Sequence, residues 1–296
     1  MYQGLQNGNR DEGEAALFAR IFPESAFSQQ SLRLLMSYLQ KLADQFLALE
    51  QWQNTPGAVE SELVQVYRDR GMHRHFQDSL QLAKTALDRQ PLRNSDYYVR
   101  LGALLWEEAR HFSQSHPEEE RYLVGLSDNA DLIWLTQKLR YLCLHTAYRA
   151  RFNTSQSLSL RREAEEILEA YDFLKNPAIS TWYYCLNMLE TPNAADYFSR
   201  FKEGVLAHGL AFHPDELRDL HLLAINYCIR RVNEGQSRFF HDIMDFYKDG
   251  LEKGHLLDHG VLSHFTYHNI VAAALHTREY EWVEDFIPRY RNALER

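Results

Sequence analysis

Cys143, Cys185 and Cys228 lie 42 and 43 residues apart, and each occupies the same local phrase. The phrases are Tyr141-Leu142-Cys143-Leu144, Tyr183-Tyr184-Cys185-Leu186 and Asn226-Tyr227-Cys228-Ile229. A further step of 42 residues reaches Ile270, inside His268-Asn269-Ile270-Val271. A second marker keeps the period independently: Phe198, Phe240 and Trp282 are 42 residues apart, with apolar followers at Phe201 and Val205, Ile243 and Tyr247, and Phe286. Two unrelated markers on one ruler identify an internal repeat, and a unit of about 42 residues is the length of one helical hairpin. A single hairpin cannot bury its apolar face, so neighbouring units must stack into a continuous core. The period is clear from about residue 130 onward, and the 296-residue chain has room for about seven units.

The rest of the chain supports helix joined to helix. It holds 42 Leu against 10 Val and 9 Ile, and only 13 Gly and 8 Pro. Leu is a strong helix former, β-branched residues favour strands, and turn formers are scarce here. Leu32, Leu35, Met36, Leu39, Leu42, Phe46 and Leu49 form one apolar stripe at steps of three and four, the mark of an amphipathic helix starting near Ser28. Trp52 ends that run and Asn54-Thr55-Pro56-Gly57 breaks it. The same reasoning predicts helices over 58–70, 73–89, 94–112, 128–150, 158–174, 179–190, 194–209, 214–234, 237–253, 261–276 and 279–295. Their separators are Gln90-Pro91, His116-Pro117, Asn176-Pro177, Thr191-Pro192, His213-Pro214, Gly254 and Gly260. The expected fold is all-α, an αα-superhelix (solenoid) of about six or seven irregular hairpins. Residues 1–27 are expected as a polar lead-in, partly disordered or linker. Residues 28–296 form a single helical-repeat domain, degenerate over 28–127 and clearer over 128–296.

Tyr267–Tyr290 (YHNIVAAALHTREYEWVEDFIPRY) resembles a tetratricopeptide unit. An aromatic opens its first helix, Ala272–Ala274 sit at the close helix contact, Tyr280 opens the second helix, and Pro288 falls near its end. Trp182–Val205 and Phe76–Pro91 resemble parts of the same pattern. The family's unit is about 34 residues, shorter than the repeat here, and a HEAT-like stack of about 40–47 residues per unit is the alternative. Either resemblance implies an interaction scaffold, and the tetratricopeptide one implies a right-handed superhelix.

If the cysteines face the core, residues two before and two after them share the opposite helix face. Across the repeats these are Tyr141, His145, Tyr183, Asn187, Asn226, Arg230 and His268. Tyr and Arg are enriched at interface hot spots. The ladder is therefore the candidate binding groove for a segment of another protein, in a non-enzymatic role without cofactor. The alternative rests on the histidines, nine of whose 14 fall within residues 208–276. His264 and His268 are four apart, a spacing that can place two imidazoles on one metal. With His241 they would make a helical metal-dependent hydrolase, and His255, Asp258 and His259 lie nearby in sequence.

Other chemistry finds no signature. No Gly-rich phosphate loop and no GxSxG nucleophile elbow is present. Carboxylate runs such as Glu118-Glu119-Glu120 and Glu165-Glu166 read as solvated faces. Trp52, Trp106, Trp134, Trp182 and Trp282 stand in apolar runs and are expected in the core. The net charge of -9 argues against nucleic acid as a partner. No run approaches the roughly 20 apolar residues of a membrane span, and residues 1–10 lack the apolar segment of a signal peptide. Three cysteines outside any CxxC pair read as buried thiols of a cytoplasmic protein.

Overall fold

Several helix starts in this chain carry a side chain that accepts a first-turn N–H. Ser28 Oγ accepts from Ser31 N at 3.2 Å, Asn94 Oδ1 from Tyr97 N at 3.2 Å, Asn176 Oδ1 from Ala178 N at 3.0 Å and Ser263 Oγ from Thr266 N at 3.1 Å. Such caps satisfy N–H groups that the helix itself leaves unpaired. Pro177 and Pro214 follow their caps directly, where a missing N–H costs nothing. A computed structural model describes residues 13–91, 93–113, 119–191, 195–257 and 260–294.

The described residues are helical, and the one β-type contact among them is an isolated bridge between Leu262 and Leu294. The helices are α1 (Glu14–Ile21), α2 (Gln29–Asn54), α3 (Ala58–Asp69), α4 (His73–Asp88), α5 (Ser95–Phe112), α6 (Arg121–Phe152) and α7 (Arg161–Ala170). They continue as α8 (Pro177–Glu190), α9 (Ala195–Ala207), α10 (Pro214–Asn233), α11 (Phe239–Glu252), α12 (His264–His276) and α13 (Tyr280–Tyr290). Short 3₁₀ turns cover Asp172–Lys175, Gly209–Ala211 and Arg291–Ala293. Most sequential neighbours pack on each other, the short α7 packs on α6, and α6 also packs against α8.

Two apolar clusters form. The larger runs from Leu135 on α6 to Phe286 on α13 and contains Cys143, Cys185, Cys228 and Ile270, each with no exposed surface. These four stand on α6, α8, α10 and α12, alternate helices in chain order. Burial pushes the Cys143 and Cys228 thiols up, Cys143 with a further push from the neighbouring Cys185. The smaller cluster joins Val64, Phe76, Leu80, Ala83, Leu87, Tyr97, Tyr98 and Leu104 of α3, α4 and α5. Leu132 of α6 packs against both. The 32-residue α6 is about 48 Å long at 1.5 Å per residue, which lets one helix serve both cores.

A buried polar knot also fastens the two cores. Asn94 and Glu216 are each 3% exposed, and Asn94 Nδ2 donates to Glu216 Oε2 at 2.8 Å across 122 residues of sequence. Asn94 caps α5, while Glu216 closes the capping box of α10 by accepting from His213 N at 3.3 Å. Arg140 of α6 approaches Glu216 at 3.8 Å and donates to Asp219 at 2.7 Å. Nearby, Asn176 donates to the Tyr98 hydroxyl, and Arg93 N donates to the Ala211 carbonyl at 3.2 Å.

Four expectations change. Residues 14–21 of the supposed lead-in form α1, because Ala15, Ala16 and Leu17 favour helix and Phe18 buries against Phe22 and Phe27; residues 1–12 lie outside the described set. Helix α6 begins at Arg121 rather than 128. Trp106 is 53% exposed although its run is apolar. In α11 the marker Phe240 is only half-buried against the core, and its neighbour Phe239 is the fully enclosed ring, meeting Phe198 and Tyr227 edge-on. The separators His116-Pro117 and Pro192 lie outside the described residues.

Removing the knot's acceptor strands the buried Asn94 Nδ2 and takes the capping-box partner from His213 N. Glu216→Ala is therefore expected to lower unfolding stability by about 3 kcal/mol, against about 1 kcal/mol for Glu216→Gln, which keeps one acceptor oxygen. Urea denaturation followed by circular dichroism measures both, and equal losses would contradict the role given to the acceptor.

Candidate functional site

Burial of the Cys143, Cys185, Cys228 and Ile270 side chains fixes which face of α6, α8, α10 and α12 looks inward. Positions two before and two after each marker are rotated about 200° from it in opposite senses, so they look outward. Tyr141 is 56% exposed, and Asn226, Arg230 and His268 are exposed as well. His145, Tyr183 and Asn187 are half-buried. The ladder residues thus reach the surface on four alternate helices.

Contacts within the ladder are local. Tyr183 meets Tyr184 edge-on at 5.5 Å, and Asn187 Nδ2 donates to the Tyr183 carbonyl at 2.9 Å. One of the two Asn187 N–H groups is thereby committed to its own helix. Burial raises the Tyr183 phenol, and Tyr197 and Glu169 add to the effect.

The hollows on the surface are lined by other residues. One of about 500 Å³ lies between α8 and α9, edged by Tyr184, Asp196, Arg200 and Glu203. There Arg200 pairs with Asp196 at 2.9 Å and donates to the Tyr184 hydroxyl at 3.2 Å. Thr181 and Gly204 form its floor, and a Cβ on Gly204 would fall 2.4 Å from Thr181 Oγ1, so the close approach of α8 and α9 requires glycine. A second hollow of about 560 Å³ lies between α11 and α13, lined by Lys248, Trp282, Phe286 and Tyr290.

The histidines expected to share a metal do not converge. His241 on α11 and His264 and His268 on α12 are exposed. Asp242, the carboxylate beside His241, is held by Lys202 at 2.6 Å. Among the described residues no group of three or more His, Cys, Asp or Glu is arranged to hold a metal ion. Asp258 and His259 lie outside the described residues. His264 and His268 stand one helical turn apart on α12, and among the described residues no third ligand joins them.

A histidine that the sequence did not single out is instead fully buried. His221 of α10 has its Nδ1 2.7 Å from the Leu217 carbonyl and its Nε2 2.8 Å from Asp249 Oδ2. The ring thus bridges a backbone carbonyl and a carboxylate. Burial pushes the Asp249 carboxyl up, and hydrogen bonds from His221 and Lys253 outweigh it, leaving the group below its ordinary value. His255, whose ring lies 6.0 Å from that of His221, is lowered by burial and by the His221 and Lys253 charges. His221 and Asp249 are 28 residues apart, so no local motif announces the pair.

No protein-family model matches the chain, and no curated protein and no solved structure matches it. Among the described residues no helix is long and apolar enough to cross a membrane.

The titrations have a definite sign. His111 stacks on Phe76 at 3.9 Å, and burial with the His73 and Arg68 charges lowers it, as His255 is lowered. Each binds its proton less readily folded than unfolded, so acid favours the unfolded chain below the unfolded value of about 6.5. Their contribution is complete above that pH and is lost as pH falls; Asp249 adds a further loss near and below about pH 4. The melting temperature is expected to fall from pH 7.5 to pH 5, and His111→Phe, which keeps a ring on Phe76, should flatten part of that fall. A slope unchanged by His111→Phe would contradict the assignment.

Proposed function

We propose that the chain is a non-enzymatic interaction scaffold, a tetratricopeptide-like stack of helical hairpins that holds a segment of a partner protein along the outward faces of α6, α8, α10 and α12. One observation carries this reading. Four alternate helices each bury one marker residue completely, and the flanking Tyr, Asn, His and Arg side chains reach solvent.

Helices packed side by side lie about 8–10 Å apart, so the four outward faces, if aligned in one row as proposed, span on the order of 25–30 Å. That matches about eight residues of extended chain at about 3.3 Å each. The Tyr141 and Tyr183 end offers flat aromatic surface, and the Arg230 and His268 end offers hydrogen-bond donors and positive charge. A bound segment with apolar side chains toward α6 and an acidic side chain toward α10 and α12 fits that polarity. Binding through rigid helices also limits the ordering cost to the partner.

Photo-crosslinking tests this in the intact chain. A benzoylphenylalanine at Tyr141 or at Asn226 is expected to capture the same partner, whereas one at exposed Leu123, away from the ladder, captures none of it. Arg230→Glu should reduce both crosslinks several-fold. Equal capture from Leu123, or crosslinks indifferent to Arg230→Glu, would contradict the groove.

A further inference from the structure

A long apolar stripe in the sequence is only partly covered. On α2, Leu32, Leu35, Leu39, Leu42, Phe46 and Leu49 follow alternating steps of three and four, a period of about 3.5 that marks a coiled-coil seam. Leu32 is buried, but Leu42 is 61% exposed, Phe46 62% and Leu49 57%. The helix is 26 residues long, about 39 Å, and its packed neighbours are α1 and α3. Leu32 anchors one end, and Trp52 anchors the other beside Pro56 and Leu87. The middle presents its seam to water, and a contiguous apolar patch of this kind marks an interaction surface.

We propose that this face binds a second copy of itself, antiparallel, across a two-fold axis near Lys41. The seam is symmetric about that point: Leu32 meets Leu49 of the other copy, Leu35 meets Phe46 and Leu39 meets Leu42, the pairing of alternate seam positions that an antiparallel pair requires.

Charge selects the same arrangement. The N-terminal half of α2 carries Arg33 and Lys41, the C-terminal half Asp44 and Glu50, so the helix is neutral in a chain of net charge -9. Antiparallel pairing lays each basic half on an acidic half, while parallel pairing lays like on like. The opposed helix dipoles add to the preference. Covering the seam removes on the order of 500 Å² of surface per copy, so the pair reaches the roughly 1,000 Å² at which specific interfaces begin.

Other occupants fit less well. Residues 1–12 contain Met1, Tyr2 and Leu5 as their large apolar residues, too few to cover six seam positions. The polar face lacks the Lys and Arg enrichment of helices that lie on anionic membranes. The dimer is separate from the proposed groove, since α2 contributes none of the ladder residues.

The test is sedimentation velocity on the full chain from about 1 to 50 µM, alongside Leu42→Glu/Phe46→Glu. Because both residues are exposed, the variant should keep its helical circular dichroism. The parent is expected at twice 34.9 kDa, and the variant as a monomer with at least tenfold weaker self-association. A spin label at Gln51 then reads orientation. Antiparallel copies place the two labels about 30 Å apart along the axis, and parallel copies place them within about 15 Å. A monomeric parent, a dimer untouched by the double substitution, or closely spaced labels would each overturn the proposal. A monomer whose α2 is captured by a different protein or by vesicles overturns it equally.

Discussion

Complete burial of Cys143, Cys185, Cys228 and Ile270 is the constraint on which the rest of the structure depends. A helix has one orientation that sends a given side chain inward, so four buried positions fix the rotation of α6, α8, α10 and α12. Once those rotations are set, the second helices supply the remaining core through Phe201, Val205, Ile243, Tyr247 and Phe286. A thiol is small enough to let helices approach, and the Cys143 sulfur lies 3.3 Å from the Trp182 carbonyl of the neighbouring α8. The same rotations carry the ladder residues outward, so packing and presentation have one cause.

Apolar burial alone would leave the α3–α5 cluster joined to the larger core mainly through α6. The Asn94–Glu216–Arg140–Asp219 knot adds a directional tie, because each partner is placed by a helix cap or a helix face. Buried polar groups are costly unless paired, so the knot penalises any docking of the two cores that misaligns them.

Local rules were legible in the sequence, and pairing across long separations was not. Asn176-Pro177 and His213-Pro214 placed the starts of α8 and α10 because a cap followed by proline acts within one turn. The 42-residue spacing picked out positions that are buried alike, Cys143, Cys185, Cys228 and Ile270, as a repeated packing problem would require. Trp106 and the α2 seam misled in the same way: apolar periodicity says that a face wants cover, not that this chain covers it. His221 with Asp249, and Asn94 with Glu216, join residues 28 and 122 positions apart, which a local pattern cannot encode. For the candidate site, the positions flanking the cysteines reach the surface to differing degrees, with His145, Tyr183 and Asn187 half-buried, while the hollows at Arg200 and at Trp282 lie between helices and follow no local pattern. The histidines lie at the same limit: two on one helix need further ligands that only tertiary packing can bring, and among the described residues none joins them.

If the helices stack as hairpin units, as proposed, stability is built from neighbouring hairpins rather than from one indivisible core. Hydrogen exchange on the intact chain, read by mass spectrometry across increasing urea, tests it most directly. In a stack, stability is the sum of unit and interface contributions, and units with fewer neighbours open first. The account predicts that α12 and α13, and separately α3 and α4, exchange through openings of lower free energy than those that release α8 to α11. Exchange of all these helices at one common free energy would contradict it.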